Sequence, residues 1–308
     1  MRVALIANPH ASRFSGRQRD RVVAAIGARH KLELLQTGHP GHATELAAQA
    51  VAALGCEVVA VLGGDGTVNE VVNGLRDTDV ALALLGGGRV NVLARGLGLP
   101  ADPDRATARL LDLLDAGARR RLTLGLASER CFALNAGLGL GGAIVREVER
   151  RQRAKQLYGD RAYVAAGLKA LLVGYDRDHP HLTVHLPDGR PPLHGFFTLV
   201  GNGDPFTYLG RRPFRPTPQA TWAGGLDLLV GQTMATRSLA RAVTGMLAPH
   251  PRAGYPGLPV LHDLDEFSLS ADIPLPFQLD GEYVGDRTSV TFGCLRSALA
   301  VVAPPKRA

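Results

Sequence analysis

Along residues 1–125, apolar residues form two patterns: short continuous runs, and longer segments in which they recur every three or four positions. The runs are rich in β-branched residues and predict buried strands, whereas the periodic segments predict amphipathic helices. Strands are predicted at 3–7, 31–36, 58–62 and 80–85, and helices at 17–29, at 44–54 and from Thr67 onward. Alternation at this spacing predicts a mostly parallel, doubly wound α/β domain over residues 1–124.

After Arg121 the pattern changes to short strand-like runs separated by Gly, Pro and Asp turns. The runs cover 122–126, 131–135, 182–186, 195–200, 226–230, 266–270, 277–279 and 289–292, with helical patches near 142–152, 160–174 and 236–248. Many short strands with turn residues between them are typical of antiparallel sheets. The pattern therefore predicts an antiparallel β-sandwich domain over residues 125–296, and residues 297–308 could complete the first domain.

The composition is that of a folded protein with an excess of arginine. Hydrophobic residues make up 45% of the chain and charged residues 20%, which excludes a disordered protein. The net charge is +7, and only four of the 35 basic residues are lysines. Such an excess suits a phosphate-rich ligand, an anionic membrane face or a nucleic acid about equally well. Because aromatic residues are only 5% and no recognition motif is present, no nucleic-acid partner is expected.

Redox and targeting signals predict a cytoplasmic protein. Cys56, Cys131 and Cys294 are odd in number and lack metal-ligand spacing, which is typical of buried residues in a reducing compartment. The N-terminus leads directly into a predicted strand, without the longer apolar core and cleavage site of a signal peptide. Because no apolar run approaches ~20 residues, the chain is expected to associate with a membrane only peripherally.

A glycine-rich turn between the strand at 58–62 and the next helix is the most informative segment. It reads Gly63-Gly64-Asp65-Gly66-Thr67, and Thr67 with Glu70 has the spacing of a capping box. Such a turn lets backbone N–H groups approach an anion, which the helix dipole also favours. Asp65 would then lie where it could bind a metal ion or contact an attacking hydroxyl group. The alternative is a turn in which Gly and Asp serve only backbone geometry.

Four predicted strand ends of the first domain carry polar or glycine-rich residues. These are Asn8, Thr37, the turn at 63–67 and a second glycine-rich turn at 86–91. Ligands of doubly wound sheets bind at the carboxyl ends of the strands. The sequence therefore predicts a nucleotide site at this edge of the sheet.

Further motifs lie before and after the glycine turn and the Asn69-Glu70-Val71 segment that follows it. They are Ala7-Asn8-Pro9, Thr37 with Gly41-His42-Ala43, and the segments 91–100, 135–139, 208–213, 279–285 and 300–304. Together these segments resemble the diacylglycerol kinase/sphingosine kinase family of lipid kinases, in particular its bacterial branch, and the resemblance covers essentially the whole chain. The Gly-Gly-Asp-Gly-Thr core alone is less specific, since it also occurs in NAD kinases and, in related form, in phosphofructokinases.

The resemblance implies a fold, two cofactors and a set of site residues. The fold would be an NAD kinase/phosphofructokinase-like α/β domain and an antiparallel β-sandwich, with ATP and Mg²⁺ bound in the cleft and a lipid hydroxyl as phosphoryl acceptor. The implied ATP-binding residues are Asn8, Thr37, Gly63, Gly64, Asp65, Gly66, Thr67, Asn69, Arg89 and Asn91, with Asp65 also binding the metal. Glu282 falls at the family's proton-accepting position, so Glu282 and Asp65 are the catalytic candidates. From the residues alone, Asp280-Gly281-Glu282 is equally well a hairpin turn.

The chain departs from the family pattern at several positions. Gly86 and Arg89 replace the usual Pro and hydroxyl residue of the second glycine turn, and Arg89 could bind phosphates bidentately or fill the pocket. Leu140-Gly141 stands where Phe-Asp is common. Ala223-Gly224 replaces an Asp-Gly turn that helps to hold a structural Mg²⁺ in some members. These losses keep a catalytically impaired variant open.

The leading prediction is an ATP-dependent kinase that phosphorylates a lipid hydroxyl, most simply diacylglycerol to phosphatidic acid, at an anionic membrane surface. The alternative from another class is a pseudokinase that binds nucleotide or lipid. Arg89 and Ala223 favour this alternative, whereas the intact Asp65 and Glu282 oppose it. An NAD kinase is opposed by Asn69-Glu70-Val71, by the second glycine segment and by the Asp-Gly-Glu turn. Exposed strands of the second domain could pair in a homodimer.

Overall fold

The structure of the protein is a computed structural model that describes residues 1–12, 15–150 and 175–305. Contacts divide the chain into two compact units. The first contains Met1–Leu124 together with residues from Leu295 onward, and the second contains Gly125–Cys294. The predicted helix at 160–174 lies outside the described residues.

A parallel sheet forms the centre of the first unit. Its strands are β1 (Arg2–Ala7), β2 (Lys31–Gln36), β3 (Val58–Gly63) and β4 (Ala81–Gly87), in the order β2-β1-β3-β4. The end of the last strand, β16 (Glu282–Val301), continues the sheet beside β4, where Val301 pairs with Leu82 in parallel. All residues of β3 and β4 are buried, which accounts for their continuous apolar sequences.

Helices connect these strands, as the sequence pattern predicted. They are α1 (Gly16–Gly27), α2 (His42–Ala52), α3 (Asp65–Gly74) and the short α4 (Val92–Gly96). A further helix, α5 (Pro103–Asp115), is absent from the sequence prediction. Its start carries recognisable signals, because the Asp102 side chain accepts a hydrogen bond from the Arg105 N–H and Pro103 occupies the first turn.

The second unit consists mainly of antiparallel strands. The chain enters it along β5 (Arg120–Ala127) and continues through β6 (Arg130–Phe132), β7 (Asn135–Leu138), α6 (Leu140–Arg150), β8 (Leu182–His185), β9 (Leu193–Gly195) and β10 (Phe197–Gly201). The hairpin β11 (Thr207–Leu209) and β12 (Arg212–Phe214) follows, and then β13 (Leu226–Gly231), α7 (Thr236–Met246), β14 (Val260–Leu264), β15 (Glu266–Leu279) and β16.

The long strand β15 belongs to two groups of strands. Its first half pairs with β8, which pairs with β9, while its second half pairs with β7 in the order β15-β7-β10-β13-β14. Both groups contribute side chains to one core, in which the Phe267 and Phe292 rings stack at 4.8 Å between centroids. The predicted strands at 266–270 and 277–279 are therefore one strand, and the prediction at 131–135 divides between β6 and β7.

The observed architecture confirms the predicted fold class. A mixed, mostly parallel α/β domain is combined with a C-terminal domain of antiparallel strands. Among the described residues, none of the helices has the length and apolar character needed to cross a bilayer.

Candidate functional site

The two glycine-rich turns of the first unit lie back to back. Gly63 and Gly87 are partners in the register of β3 and β4. A Cβ atom added to Gly88 would lie 2.5 Å from the Cα atom of Gly64, and one added to Gly87 would lie 3.1 Å from the Gly63 nitrogen. Contacts this short leave no room for side chains at Gly88. Glycine at these positions therefore permits the two strand ends to approach closely.

Helix α3 begins directly after this contact, at Asp65. Its N-cap is Gly64, which has no side chain with which to cap the helix. The first N–H groups of an α-helix lack partners within the helix, and the helix dipole attracts anions there. A Cβ atom added to Gly66 would meet nothing within 4 Å, so the space beside the first turn is open. An anion such as a phosphate fits this environment.

The predicted capping box is wrong. Thr67 lies inside α3, two residues after its first residue, because Asp65 and Gly66 already adopt helical conformation. The Glu70 side chain caps a different helix, since its Oε2 atom accepts a hydrogen bond from the Ala43 N–H in the first turn of α2 at 3.0 Å. Glu70 thus connects α3 with α2.

Asn8 and Thr37 lie at the same sheet edge as α3. The Nδ2 atom of Asn8 donates a hydrogen bond to the Thr67 Oγ1 atom at 2.9 Å. Thr37 follows β2, which pairs in parallel with β1, and its N–H donates to the Ala7 carbonyl at 3.0 Å. The structure therefore brings Asn8, Thr37 and Thr67 to the end of adjacent strands. Asn69 is also buried in α3, where its carbonyl accepts from Asn73.

Asp65 connects the first glycine turn with the second. Its Oδ1 atom accepts a hydrogen bond from the Val92 N–H, at the start of α4, at 2.7 Å. Asn91 precedes that helix in a left-handed conformation, and its side chain binds both the N–H and the carbonyl of Gly88. Arg89 is exposed at the tip of this turn. Carboxylate oxygens are the ligands that Mg²⁺ prefers, so Asp65 is a suitable ligand in a turn that also suits phosphate.

Gly86 explains one departure from the family pattern. Its φ angle is +71°, a value that proline cannot adopt, and an added Cβ atom would lie 2.7 Å from the Ala101 carbonyl oxygen. In this chain the turn therefore requires glycine where relatives of the resembled family often have proline.

Glu282 lies in the second unit, at the start of β16. The hairpin between β15 and β16 turns at Asp280 and Gly281, whose φ angles are 48° and 81°, as in a type I′ two-residue turn. Interpretation of this segment as a hairpin is therefore correct for the backbone. The Glu282 side chain is about half exposed, and its Oε2 atom accepts a hydrogen bond from the Arg130 Nη2 atom at 2.6 Å.

Asp280 organises the backbone next to Glu282. Its carboxylate accepts hydrogen bonds from the N–H groups of Ala133, Leu134 and Asn135 at 2.8–2.9 Å, and the residue is only 9% exposed. Gln278 extends this buried network, because its side chain binds both Asn135 and the Gly281 N–H. The network fixes the turn that carries Glu282. Sequence reasoning missed these roles of Asp280 and Arg130, although Asp280 lay inside a motif that it singled out.

The turn at 223–225 differs from a metal-binding turn. Ala223, Gly224 and Gly225 supply no carboxylate, and the Gly225 N–H is bound by the Asp263 Oδ1 atom at 2.5 Å. The buried Asp227 binds His262 Nδ1 at 2.7 Å, and burial raises the pKa of the Asp227 carboxyl group. The turn itself therefore lacks the carboxylate that the family resemblance associates with a structural Mg²⁺.

Comparison with known proteins supports the family resemblance. Residues 2–124 match the family described as the diacylglycerol kinase catalytic domain. The chain is 33% identical to a "Probable lipid kinase YegS-like" of Chromohalobacter salexigens over 57% of its length and 55% of the relative's. It is 26% identical to a diacylglycerol kinase of Staphylococcus carnosus over 80% of its length and 77% of the relative's. The predicted resemblance to bacterial diacylglycerol-kinase-like lipid kinases is confirmed.

The solved structures agree in fold. A crystal structure of a diacylglycerol kinase from Bacillus anthracis superposes with a TM-score of 0.75 at 21% identity, and covers 99% of this chain and 97% of that one. At this identity the similarity shows the fold alone. The alignment with the Chromohalobacter relative spans about half of that relative's length.

Proposed function

We propose that the protein is an ATP-dependent lipid kinase that transfers the γ-phosphoryl group of ATP to a lipid hydroxyl, most simply diacylglycerol to phosphatidic acid. The observation that carries the proposal is the start of α3, which has a glycine as its N-cap, has open space beside Gly66 and lies where the two glycine turns meet. This cradle lies within the residues that match the diacylglycerol kinase catalytic domain.

The first unit is proposed to bind ATP. Backbone N–H groups from Gly64 to Thr67 would bind the phosphates at the positive end of the helix, where the space beside Gly66 is open. Asn8, Thr37, Asn69 and Asn91 would support this turn from neighbouring elements. Arg89, exposed at the tip of the second turn, would bind phosphate oxygens through its guanidinium group. Gly63, Gly64 and Gly66 would allow the phosphates to approach the backbone closely.

Asp65 is proposed to hold the Mg²⁺ that accompanies ATP. A bound Mg²⁺ neutralises phosphate charge and so lowers the barrier to transfer. Asp65 itself is oriented by the Val92 N–H, which leaves the position of its carboxylate well defined. That orientation is useful because phosphoryl transfer depends chiefly on positioning and electrostatics.

Glu282 is proposed as the general base. The lipid hydroxyl would give its proton to a Glu282 carboxylate oxygen as the hydroxyl oxygen bonds to the γ-phosphorus and the bond to the ADP oxygen breaks. Arg130 holds one oxygen of Glu282, and Asp280 fixes the turn that precedes it. Glu282 and Asp65 would therefore both act from positions that other side chains or backbone groups define.

A pseudokinase that binds nucleotide is the second candidate. The specific observation in its favour is that both proposed catalytic carboxylates already have partners, Val92 for Asp65 and Arg130 for Glu282. Such contacts are equally consistent with purely structural roles. This candidate predicts ATP binding without phosphoryl transfer.

The deciding experiment is a radiolabelled-ATP assay with lipid extracts, purified lipids and NAD as acceptors, with and without Mg²⁺. Phosphorylation of a lipid that needs Mg²⁺ supports the proposed kinase. Labelling of NAD alone would show an NAD kinase instead. ATP binding measured by calorimetry, with no labelled acceptor, would show a pseudokinase.

A further inference from the structure

One part of the second unit is strongly basic. Residues 205–261 contain six arginines but a single acidic residue, Asp227, which is fully buried. One of the arginines, Arg215, forms an ion pair with Asp204. The other five, which we call the basic face, are exposed: Arg211, Arg212, Arg237, Arg241 and Arg252. In the described part of the chain, none of these five forms an ion pair with a carboxylate.

Helix α7 provides the centre of the basic face. Its buried side, Leu239, Ala242 and Met246, packs into a hydrophobic cluster of the second unit. Arg237 and Arg241 are four residues apart and therefore lie on the same side of the helix. Val243 is also exposed, at 44%, but it follows Arg241 by two residues and therefore lies on a different side of the helix from the two arginines. The two arginines therefore give one exposed side of α7 two positive charges that have no carboxylate partner among the described residues.

The remaining arginines come from segments that contact the C-terminal end of α7. The β11–β12 hairpin, with Arg211 and Arg212 at its turn, is followed by Arg215, whose N–H donates to the Met246 carbonyl at 3.0 Å. The segment after Arg252 returns to the helix, because a Cβ atom added to Gly245 would lie 2.4 Å from the Tyr255 hydroxyl. Both segments that carry the other arginines therefore contact the C-terminal end of α7.

We propose that the basic face docks the protein on a bilayer that contains anionic phospholipids. Guanidinium groups bind phosphate oxygens bidentately, and five of them without carboxylate partners match a surface of lipid phosphates. Aromatic residues, on which nucleic-acid bases stack, make up only 5% of the chain, and this favours a bilayer over a nucleic acid. The proposal rests on the proposed lipid kinase function, because a lipid substrate has to be reached at a membrane.

The test compares two double charge reversals at matched positions. Arg237→Glu/Arg241→Glu changes the centre of the basic face. Arg105→Glu/Arg109→Glu makes the same change on another exposed helix, α5, at the same spacing of four residues. Binding is measured by co-sedimentation with phosphatidylcholine vesicles that contain or lack phosphatidylglycerol, and melting temperatures confirm that both variants are folded.

We expect the variant on α7 to lose at least about tenfold in affinity for the anionic vesicles, while the variant on α5 binds like the wild type. Added salt should weaken wild-type binding. Equal losses in both variants would overturn the proposal, because only net charge would then matter. Unchanged binding of the α7 variant would also overturn it, as would preferential capture of an oligonucleotide over the vesicles.

A second readout separates docking from catalysis. Phosphorylation of a short-chain, water-soluble diacylglycerol in the absence of vesicles should be equal in wild type and in the α7 variant. If the α7 variant is weak only on vesicles, both proposals are supported. If the wild type phosphorylates no lipid but its vesicle binding still depends on α7, the docking surface stands and the kinase proposal fails.

Discussion

The Asp65 carboxylate accepts a hydrogen bond from the Val92 N–H at 2.7 Å, so one side chain connects the start of α3 with the start of α4. This contact separates two roles of Asp65 that substitutions can distinguish. Asp65→Asn retains an oxygen that can accept from Val92 but removes the negative charge. We expect it to keep the wild-type melting temperature and to lose most turnover in the Mg²⁺-dependent lipid kinase assay.

Asp65→Ala provides the comparison. It removes the hydrogen bond as well as the charge, and loss of a helix cap costs about 1 kcal/mol of unfolding free energy. Denaturant titration should therefore distinguish Ala from Asn at this position. Near-normal turnover in Asp65→Asn would reduce Asp65 to a structural residue.

Substitution of Gly66 tests the proposed phosphate site at the start of α3. The missing Cβ of Gly66 faces open space, so Gly66→Ala should fold with an undiminished melting temperature. A methyl group there would nevertheless occupy the space proposed for phosphate. We expect the ATP dissociation constant, measured by calorimetry, to rise by about tenfold or more, or about 1.4 kcal/mol. Gly64→Val, beside the Gly88 contact, should abolish binding.

Gly88→Ala is the contrasting substitution in the second glycine turn. Its added Cβ would lie 2.5 Å from the Gly64 Cα atom, which cannot move aside as a flexible side chain could. This variant should therefore lower the melting temperature. Normal ATP affinity in both Gly66→Ala and a folded Gly64→Val would show that the nucleotide binds elsewhere.

Arg89 is predicted to contribute to ATP binding through contacts with phosphate oxygens. A hydrogen bond to a charged group contributes about 1.5–3 kcal/mol, so Arg89→Ala should raise the KM for ATP by about tenfold or more. Arg89→Thr restores the hydroxyl that the resembled family usually has at this position, and it should be tolerated. Steady-state kinetics at saturating lipid would measure both. An unchanged KM in the two variants would show that Arg89 does not contact the nucleotide.

Glu282→Gln tests the proposed general base. The substitution keeps the size of the side chain but removes the basic oxygen, and general-base catalysis typically contributes about 10²- to 10⁴-fold. We expect kcat to fall by that order, with unchanged ATP affinity and melting temperature. Glu266→Gln is a suitable control, because Glu266 is also an exposed glutamate at the start of a strand in the same unit. A fully active Glu282→Gln would place the base elsewhere.

The free energy of unfolding should depend on pH through the protonation of His181. Its Nε2 and Nδ1 atoms lie 2.9 Å from Asp176 and 2.8 Å from Asp272, respectively. Hydrogen bonding to Asp176 and then to Asp272 raises the pKa of His181 above its ordinary value. Stabilisation by the charged ring is therefore fully present below about pH 6.5 and is lost as the pH rises through the folded-state pKa.

Melting temperatures of wild type and His181→Gln, compared between about pH 6 and pH 9, measure this effect. The advantage of the wild type should shrink as the pH rises. His185→Gln is the control variant, because the His185 ring contacts the uncharged Ser270 hydroxyl at 2.8 Å. A difference for His181→Gln that does not vary with pH would contradict the assignment.

Local sequence patterns predicted most of the elements but not their long-range contacts. The bounds of β2 match the predicted 31–36, and the predicted strands of the parallel sheet are all present. The sequence also contains signals for the start of α5, namely Asp102 and Pro103 before a periodic apolar segment.

The roles of Glu70 and Asp280 could not be predicted from spacing. Glu70 has a capping-box partner three residues away, yet its carboxylate binds Ala43, 27 positions earlier in the chain. Asp280 binds backbone groups of Ala133, 147 positions away. Contacts of this kind depend on how the strands are arranged in space. Local sequence patterns do not determine that arrangement. The common position of Asn8, Thr37 and the glycine turn was easier to predict, because parallel strands necessarily end at a common edge.

The return of β16 to the first unit affects how the protein is made. During translation the strands β1 to β4 emerge early, but the segment from Leu295 onward, which contains the neighbour of β4, emerges only after all of residues 125–294. Until then the hydrogen-bonding groups of Leu82 on that side lack their native partners, and an uncovered strand edge invites association with other chains. The ribosome-bound nascent chain therefore passes through a long interval in which a chaperone that shields β4 would be of use.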